Sequence, residues 1–316
     1  MHLPKNQFLQ EKQIGKKYQL IGKITSINKG ENFHNIDLLL LEGFSINVKI
    51  KPDFFLFQLE IEKIYWFEVL YLNKNTKNIF ISEKYDYIEN VLNLTEIYNF
   101  YNHFFKCSAL SFSDLDQLIQ KYLYKIKNPI LNNITKNLYF KNQKKFLISP
   151  AAFKMHHNYY GGLGFHTAII LKNADALSEV YSFLNRDLLY SGIILHDMAK
   201  IQEFDFFTKK YTKEGILLGH LILGVNNIHE EAVFLGFQNS EEVLSLKHLL
   251  ISHHGLLEYG SIKKPQISEA LLLWYLDDID AKLSTLGDIL KNTEKGTFSE
   301  PISVLNQKNF YNPDLN

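Results

Sequence analysis

The stretch SGIILHDMAKIQEF, residues 191–204, places His196 and Asp197 side by side after an apolar run. A run of this kind ordinarily belongs to a protein core, where a carboxylate is rarely found without a partner. Burial of Asp197 therefore requires either a salt bridge or a metal ion. Lys200 follows at i+3 from Asp197 and at i+4 from His196, so its ammonium group points toward the same place. There it could pair with Asp197 or hold a phosphate oxygen.

Further histidines and aspartates recur at helical positions that a packed core normally fills with leucine. They are His166, His220, His253, His254, Asp277 and Asp280. Taken one at a time, each is explained as a satisfied core residue or as part of a helix end. Together with His196 and Asp197, they place a metal-type ligand on or near the apolar stripe of five predicted helices. This recurrence favours a shared metal site over isolated core residues.

The first part of the chain has the pattern of β-strands. From Tyr18 to about Ser82, short segments rich in β-branched and aromatic residues alternate with turn-forming residues. In SINVKIK, residues 45–51, every second residue is apolar, so one face is buried while Lys49 and Lys51 lie on the other. About five such strands suit a small closed barrel such as the OB-fold, whose open face commonly binds oligonucleotides. A barrel used only for packing or assembly is the alternative.

Single-strand binders combine a basic groove with stacking aromatic side chains. The strand segment offers four candidates for that role, without showing which of them face outward. They are Phe33, Tyr65, Trp66 and Phe67.

After about residue 90 the apolar period becomes helical. Leu115, Ile119 and Tyr122 lie on one face, behind Ser113 and Asp116, which are spaced like a capping box. We therefore predict an α+β multidomain protein with a small OB-like β-barrel over residues 1–88. A helical connector over 89–149 and an all-α domain over 150–316 follow it.

Composition excludes several classes of protein. Lys+Arg and Asp+Glu number 34 each, so the net charge gives no general attraction to nucleic acid or membrane. Arg186 is the sole arginine, so phosphate contacts would come from lysines and backbone amides. The lone Cys107 excludes an intramolecular disulfide framework and a multi-cysteine zinc site. With no apolar leader and no run near the roughly 20 apolar residues that span a bilayer, the sequence predicts a soluble cytoplasmic protein without a membrane partner.

The order H…HD…H…HH…D resembles the HD superfamily of metal-dependent phosphohydrolases. Several longer stretches are similar, in order and spacing, to the YhaM family of 3′–5′ exoribonucleases. They are SPAAFKMHHNYYGGLGFH (149–166), LLYSGIILHDMAK (188–200), YTKEGILLGHLILG (211–224), LISHHGLLEYGS (250–261), LDDIDAK (276–282) and TEKGTFSEPISVLNQKNFYNP (293–313). The resemblance covers essentially residues 110–313. The combination is specific, whereas an HD pair alone is a weak signal.

The resemblance implies two metal ions and assigns ligands to each. The ligands of the first ion would be His166, His196, Asp197 and Asp277. The ligands of the second would be Asp197, His220 and His253, with His254 as a further candidate. Imidazole and carboxylate ligands without thiolate suit Mn²⁺, Fe²⁺ or Mg²⁺ better than structural zinc, although Zn²⁺ stays open. The family is associated with manganese, so we predict Mn²⁺.

These ligands imply a hydrolytic mechanism without a nucleophilic side chain. Water held by divalent ions is acidified, and the same ions neutralise the phosphoryl oxygens of an in-line displacement. Asp197 and Lys200 are the candidate catalytic residues. Lys200, His156 and His157, with His254 as another candidate, would steady the phosphate or protonate the departing 3′ oxygen.

The sequence thus predicts a 3′–5′ exoribonuclease that removes nucleoside 5′-monophosphates from single-stranded RNA, with the barrel as a substrate clamp. Single-stranded DNA as a second substrate and a homo-oligomer stay open. Two other classes also stay open. One is an HD-type nucleotide or cyclic-nucleotide phosphohydrolase, which would prefer mononucleotides to oligomers. The other is a single-strand-binding protein with a silent HD domain, which would bind no catalytic metal.

Overall fold

A computed structural model of the protein describes residues 13–54, 59–74, 77–152, 157–205 and 210–315. The chain divides into two compact units, residues 1–106 and 107–316. The first contains the predicted barrel, and the second contains the helical part. The three predicted segments, residues 1–88, 89–149 and 150–316, are drawn differently from these two units and stay a prediction.

Five strands form a closed barrel in the first unit. They are β1 (Lys17–Lys29), β2 (His34–Leu39), β3 (Ser45–Ile50), β4 (Ile64–Lys74) and β5 (Lys77–Tyr87). The strand order is β1-β2-β3-β5-β4, and β4 pairs with β1 to close the barrel. All pairs are antiparallel except β3 with β5, which run parallel. Two short helices, α1 (Ile88–Val91) and α2 (Leu94–Phe104), follow the barrel. The OB-like barrel predicted from the strand pattern is confirmed.

Alternation along the strands builds the barrel core. Ile46, Val48 and Ile50 are buried, as the pattern of β3 predicts, and Lys51 is exposed. The aromatic residues of β4 are also inside: Tyr65 and Phe67 are part of this core. Tyr65 and Phe67 therefore cannot serve as outward stacking surfaces.

Trp66 is not part of that core, but it is also buried, with only 7% of its surface exposed. Phe33 is half-buried. The three candidate stacking residues of β4 are thus used for packing. Dense aromatic and β-branched residues stabilise a small barrel, since burying a large aromatic side chain contributes more apolar area than any aliphatic one.

The second unit is helical. Its helices are α3 (Phe112–Leu123), α4 (Pro129–Ile148), α5 (Gly162–Val180), α6 (Arg186–Leu195), α7 (Lys200–Glu203), α8 (Lys213–Phe234), α9 (Glu241–Ser252) and α10 (Ser268–Lys291). Two small hairpins accompany them, β6 (Phe204–Asp205) with β7 (Lys210–Tyr211) and β8 (Thr297–Phe298) with β9 (Tyr311–Asn312). Helix α5 packs against α3, α4, α6 and α10, and α9 packs against α6, α8 and α10.

Helix ends follow local sequence signals, with one displacement. Ser240 caps α9 by accepting a hydrogen bond from the Val243 amide. The cap of helix α3, however, lies two residues before the predicted Ser113. Its cap is Ser111, whose hydroxyl accepts from the amide of Asp114 at 3.1 Å. The predicted box is wrong because Phe112 is buried and draws the helix start toward the core.

Among the residues that the structure describes, no helix combines the length and the apolar character needed to cross a membrane.

The barrel core provides a direct test of the fold. Replacing the fully buried Phe67 by Ala should destabilise the barrel by about 3–5 kcal/mol, because it removes a large side chain and leaves a cavity. The matched control is Phe44→Ala at a site that is 37% exposed, which should cost less than about 0.5 kcal/mol. Urea unfolding can be followed by tryptophan fluorescence in a Trp274→Phe background, which leaves Trp66 as the sole tryptophan. Similar losses in both variants would contradict this barrel core.

Candidate metal centre

The candidate site lies entirely within the helical unit and is built around Asp197. His196 is the residue that ends α6, and Asp197 follows in the turn before α7. This turn is buried: Asp197 is 2% exposed and His196 is fully buried. The apolar run of α6, residues 188–195, is what draws the ionisable pair inside, since all eight of its residues are buried.

Oδ2 of Asp197 faces one group of ligand-type atoms. It lies 3.4 Å from Nε2 of His196 and 3.7 Å from Nε2 of His166. The two Nε2 atoms are 3.3 Å apart, and Oδ1 of Asp277 lies 3.2 Å from Nε2 of His166. The four residues predicted to hold a first ion are therefore adjacent, although they come from α5, the α6–α7 turn and α10.

Oδ1 of Asp197 faces a second group. It lies 3.5 Å from Nε2 of His220 and 3.6 Å from Nε2 of His253. His254 joins these two histidines: one ring nitrogen from each of the three lies within 4.8 Å of the others. The predicted ligands of a second ion are thus also adjacent, on the opposite oxygen of the same carboxylate.

The inner nitrogens of this second group lack hydrogen-bond partners. Within the described part of the chain, Oδ1 of Asp197, Nε2 of His220, Nε2 of His253 and Nδ1 of His254 are buried and accept or donate no hydrogen bond. An unpaired polar group in the interior is costly, so four of them around one point indicate a missing common partner.

The outer nitrogens determine which ring nitrogen carries hydrogen. Nδ1 of His196 lies 2.7 Å from the carbonyl oxygen of Ile193, and Nδ1 of His253 lies 2.8 Å from that of Leu250. Because a carbonyl oxygen can only accept, both Nδ1 atoms must be the donors. In the tautomer with hydrogen on Nδ1 alone, each Nε2 carries the lone pair and directs it at Asp197, which is the form that a metal ligand requires.

Two other carboxylates orient the remaining imidazoles. Nδ1 of His166 lies 2.6 Å from Oδ2 of Asp280, and Nδ1 of His220 lies 2.9 Å from Oε2 of Glu203. All four histidines therefore direct Nε2 to the centre and engage Nδ1 with an oxygen outside it. Such outer contacts fix the ring orientation of metal-binding histidines.

Charges at the centre favour an ionised Asp197. Burial opposes ionisation, but the charges of Lys200 and His196 outweigh it and hold the pKa of Asp197 well below its usual value. Burial also lowers the pKa of His253, and burial with repulsion from His253 and His220 lowers the pKa of His254 to about 3. Near neutral pH, these two histidines are thus neutral donors beside a carboxylate.

The other end of the centre attracts positive charge. Burial lowers the pKa of His166, but hydrogen bonds and charges from Asp277 and Asp280 outweigh this and raise it to about 10. The same negative field favours a cation at this place. Lys200 also lies in this field. Burial lowers the pKa of its ammonium, but the charge of Asp197 and its hydrogen bond outweigh burial, so the pKa of Lys200 is raised above its usual value. Its Nζ lies 2.7 Å from Oδ2 of Asp197, as the i+3 spacing predicts.

The proposed substrate contacts are placed differently from the ligands. His157 is 4% exposed, with Nδ1 2.7 Å from the Tyr159 hydroxyl and Nε2 2.8 Å from Oδ2 of Asp280. The structure thus places His157 behind His166 as a buried support rather than as a group open to substrate. His156 lies outside the described residues. Lys200 is the predicted phosphate contact that reaches the centre, with its side chain 17% exposed.

Sequence reasoning missed the supporting residues. The sequence indicates Asp280 only as one of the metal-type residues on an apolar stripe, and its contact with His166 comes from packing between α5 and α10. Glu203 gave no signal, because it lies 17 residues from His220 in the sequence. Glu203 is distinguished by its burial, since this charged residue is only 8% exposed and lies at the end of an apolar segment.

The residues fit a divalent metal centre. Donors bound to one ion at about 2.1 Å lie about 3.0–3.5 Å apart, slightly beyond hydrogen-bond length. The separations of 3.2–3.7 Å around Asp197 come close to that spacing. The donors are imidazole nitrogens and carboxylate oxygens, which bind Mn²⁺, Fe²⁺ and Zn²⁺. His166, His196, Asp197 and Asp277 could hold one ion, and Asp197, His220, His253 and His254 a second.

Comparison with known proteins agrees with this geometry. The sequence matches the HD domain family over residues 163–282. It is 41% identical over 215 residues to the 3′-5′ exoribonuclease YhaM of Shouchella clausii (strain KSM-K16), covering 68% of this chain and 67% of the relative. It is 39% identical over 211 residues to the 3′-5′ exoribonuclease YhaM of Geobacillus sp. (strain WCH70), covering 66% of this chain and 65% of that relative.

A five-stranded OB-like barrel and a buried histidine–aspartate centre in a helical unit define an HD-domain metal-dependent phosphohydrolase. Within that class, the chain belongs to the YhaM family of 3′–5′ exoribonucleases.

The centre makes a prediction about metal binding. Asp197→Asn should reduce affinity for both ions by more than about 100-fold, since loss of a residue merely supporting a ligand already costs 10–100-fold. The control is Asp278→Asn on the same helix as Asp277, where the side chain pairs with Lys282 and is 35% exposed. Metal content after dialysis against Mn²⁺ measures both. Equal metal content in wild type and Asp197→Asn would contradict a shared carboxylate.

Proposed function

We propose that this exoribonuclease removes nucleoside 5′-monophosphates one at a time from the 3′ end of single-stranded RNA, with two Mn²⁺ ions. The observation that carries the proposal is the convergence of four histidine Nε2 atoms on the two oxygens of Asp197, together with the unpaired buried atoms around Oδ1. When bound, such ions acidify water and neutralise the phosphoryl oxygens of an in-line displacement.

The residues of this chain set the geometry of that reaction. Asp197 holds the two halves of the centre together, because each oxygen faces a different group of donors. Lys200, Asp277 and His220 are partly exposed members of the centre, with 17%, 20% and 11% of their side chains accessible. A phosphate therefore reaches the centre at these residues. Lys200 lies there with an ammonium that can hold a non-bridging phosphate oxygen.

Alternatives from the sequence are less favoured. A silent HD domain would lack part of the donor set, whereas every predicted ligand lies at the centre. A mononucleotide phosphohydrolase has the same donors, but the family relationship supports an RNA substrate. Action on single-stranded DNA, self-association and a cytoplasmic location stay predictions from the sequence.

Product analysis tests the proposal. With 5′-labelled single-stranded RNA and Mn²⁺, we expect a ladder that shortens from the 3′ end, with nucleoside 5′-monophosphates as products. A 3′-phosphate should slow the reaction, whereas a 5′ block should not, because the free 3′ end must lie beside the centre. Asp197→Asn is the inactive control and Asp278→Asn the active one. Cleavage of circular RNA at a comparable rate would refute the direction, and faster hydrolysis of mononucleotides would favour the alternative enzyme.

We further propose that the barrel binds RNA upstream of the cleaved end. Burial of Tyr65, Trp66 and Phe67 leaves the half-buried Phe33 as the one partly accessible stacking candidate of the four, so phosphate contacts from lysines such as Lys49 and Lys51 carry most of the support for this role. Lys49 is partly exposed and donates a hydrogen bond to Asn35 across the β2–β3 pair.

The two compact units allow a test of the barrel. A fragment of residues 107–316 contains every predicted ligand and should keep dinucleotide hydrolysis. It should bind longer RNA more weakly, and each lost phosphate contact should reduce the salt slope of log affinity by about 0.7. Affinity measured against salt concentration, for fragment and full chain, checks this. Equal affinity and equal slope would show that the barrel does not bind the substrate.

A further inference from the structure

His220 differs from His196 and His253 in how its ring is held. His196 and His253 donate from Nδ1 to carbonyl oxygens three residues earlier, so the main chain of their own helices orients them. His220 follows Gly219, whose φ of 69° and ψ of 163° interrupt helix α8. Its side chain is 11% exposed, whereas those of His196 and His253 are fully buried. Its orientation therefore depends on a partner from outside its own helix.

That partner is Glu203, the last residue of α7. Oε2 of Glu203 lies 2.9 Å from Nδ1 of His220, and the glutamate side chain is 10% exposed. The two ring nitrogens lie on opposite sides of the imidazole, so Glu203 occupies the side away from Asp197. It is therefore a support for His220 and not a further metal ligand.

The main chain holds Glu203 in place. Its carbonyl oxygen accepts a hydrogen bond of 3.0 Å from the amide of Thr212, which precedes α8. The first turn of α8 packs closely on the same carbonyl: a Cβ atom at Gly215 would lie 2.2 Å from it. Only glycine permits this approach, so the start of α8 and the end of α7 are locked together around Glu203.

We propose that Glu203 is a positioning residue for the second ion. It keeps hydrogen on Nδ1 of His220, so that the Nε2 lone pair faces Oδ1 of Asp197, and its charge strengthens the imidazole as a donor. The inference rests on the two-ion centre of the proposed function and adds a residue that is not itself a ligand. It also makes the two ions distinguishable, because Glu203 supports only the group on Oδ1, while Asp280 supports His166 on the other side.

Metal titration of the full-length protein tests this role. Metal-free protein prepared by chelation is titrated with Mn²⁺, and free Mn²⁺ is followed by its electron paramagnetic resonance signal. Glu203→Ala should weaken one of two ions by about 10–100-fold and leave the other unchanged. Glu203→Gln keeps an acceptor oxygen without the charge, so it should lose less than the alanine variant. No RNA is used, so a failed nuclease assay would overturn the RNA substrate without affecting this result.

A second measurement follows the ring itself. Nitrogen-15 NMR of metal-free protein reports the tautomer of His220, which should carry hydrogen on Nδ1 in wild type and shift toward Nε2 in Glu203→Ala. The matched control is Glu269→Gln, a similarly buried glutamate that accepts a 2.6 Å hydrogen bond from the amide of Asn185 and contacts no histidine of the centre. It should change neither the tautomer nor either ion.

The results that overturn the inference are distinct. Unchanged Mn²⁺ affinities with an unchanged His220 tautomer in Glu203→Ala would show that Glu203 does not position the ring. Equal weakening of both ions, or the same weakening in Glu269→Gln, would assign the effect to general loosening of the unit. Selective loss of one ion with a melting temperature close to wild type supports the positioning role.

Discussion

Asp197 carries a negative charge at a position that is 2% exposed, and removing such a charge from water costs several kcal/mol unless it is compensated. Much of the helical unit is arranged to supply that compensation. Lys200 pairs with one oxygen, and histidines from α5, α8 and the ends of α6 and α9 surround both. Five separate segments thus meet at one carboxylate, and the positions of their helices are constrained by it.

A second set of oxygens fixes the histidines around that carboxylate. Two are backbone carbonyls, which come with the helix geometry, and two are the carboxylates of Asp280 and Glu203. Asp280 also accepts from His157, which in turn contacts Tyr159. The centre therefore rests on a buried polar network in which each nitrogen has a defined role. Such networks are rigid when every member is satisfied. In this one, the unpaired members around Oδ1 are the atoms assigned to the second ion.

The barrel is stabilised by a closed sheet and an apolar core rather than by a polar network. It closes a five-stranded sheet around its own apolar core, so each of its five strands pairs with a neighbour on both sides. Closure requires large side chains inside, and β4 provides Tyr65 and Phe67 for that purpose. Tyr65 and Phe67 are therefore unavailable for base stacking. The proposed binding of RNA by this unit would then rest on its polar outer groups, which favours contacts with phosphates over contacts with bases.

The apolar periodicity of the sequence was enough to indicate a strand unit followed by a helical unit. It also indicated which residues point inward toward the centre. The alternation of Ser45–Ile50 and the helical spacing around His166 depend on local geometry, and the structure bears out both. The same spacing put the HD pair and the downstream histidines on apolar stripes, where a charged or imidazole group is expected to point inward. Only the tertiary structure decided which oxygen of Asp197 faces which histidine, that Glu203 and Asp280 support His220 and His166, and that Tyr65 and Phe67 face inward. Those facts depend on packing between helices and strands distant in sequence, where direction is set by neighbouring side chains. The start of α3 at Ser111 has the same cause, because burial of Phe112 outweighed a local capping signal.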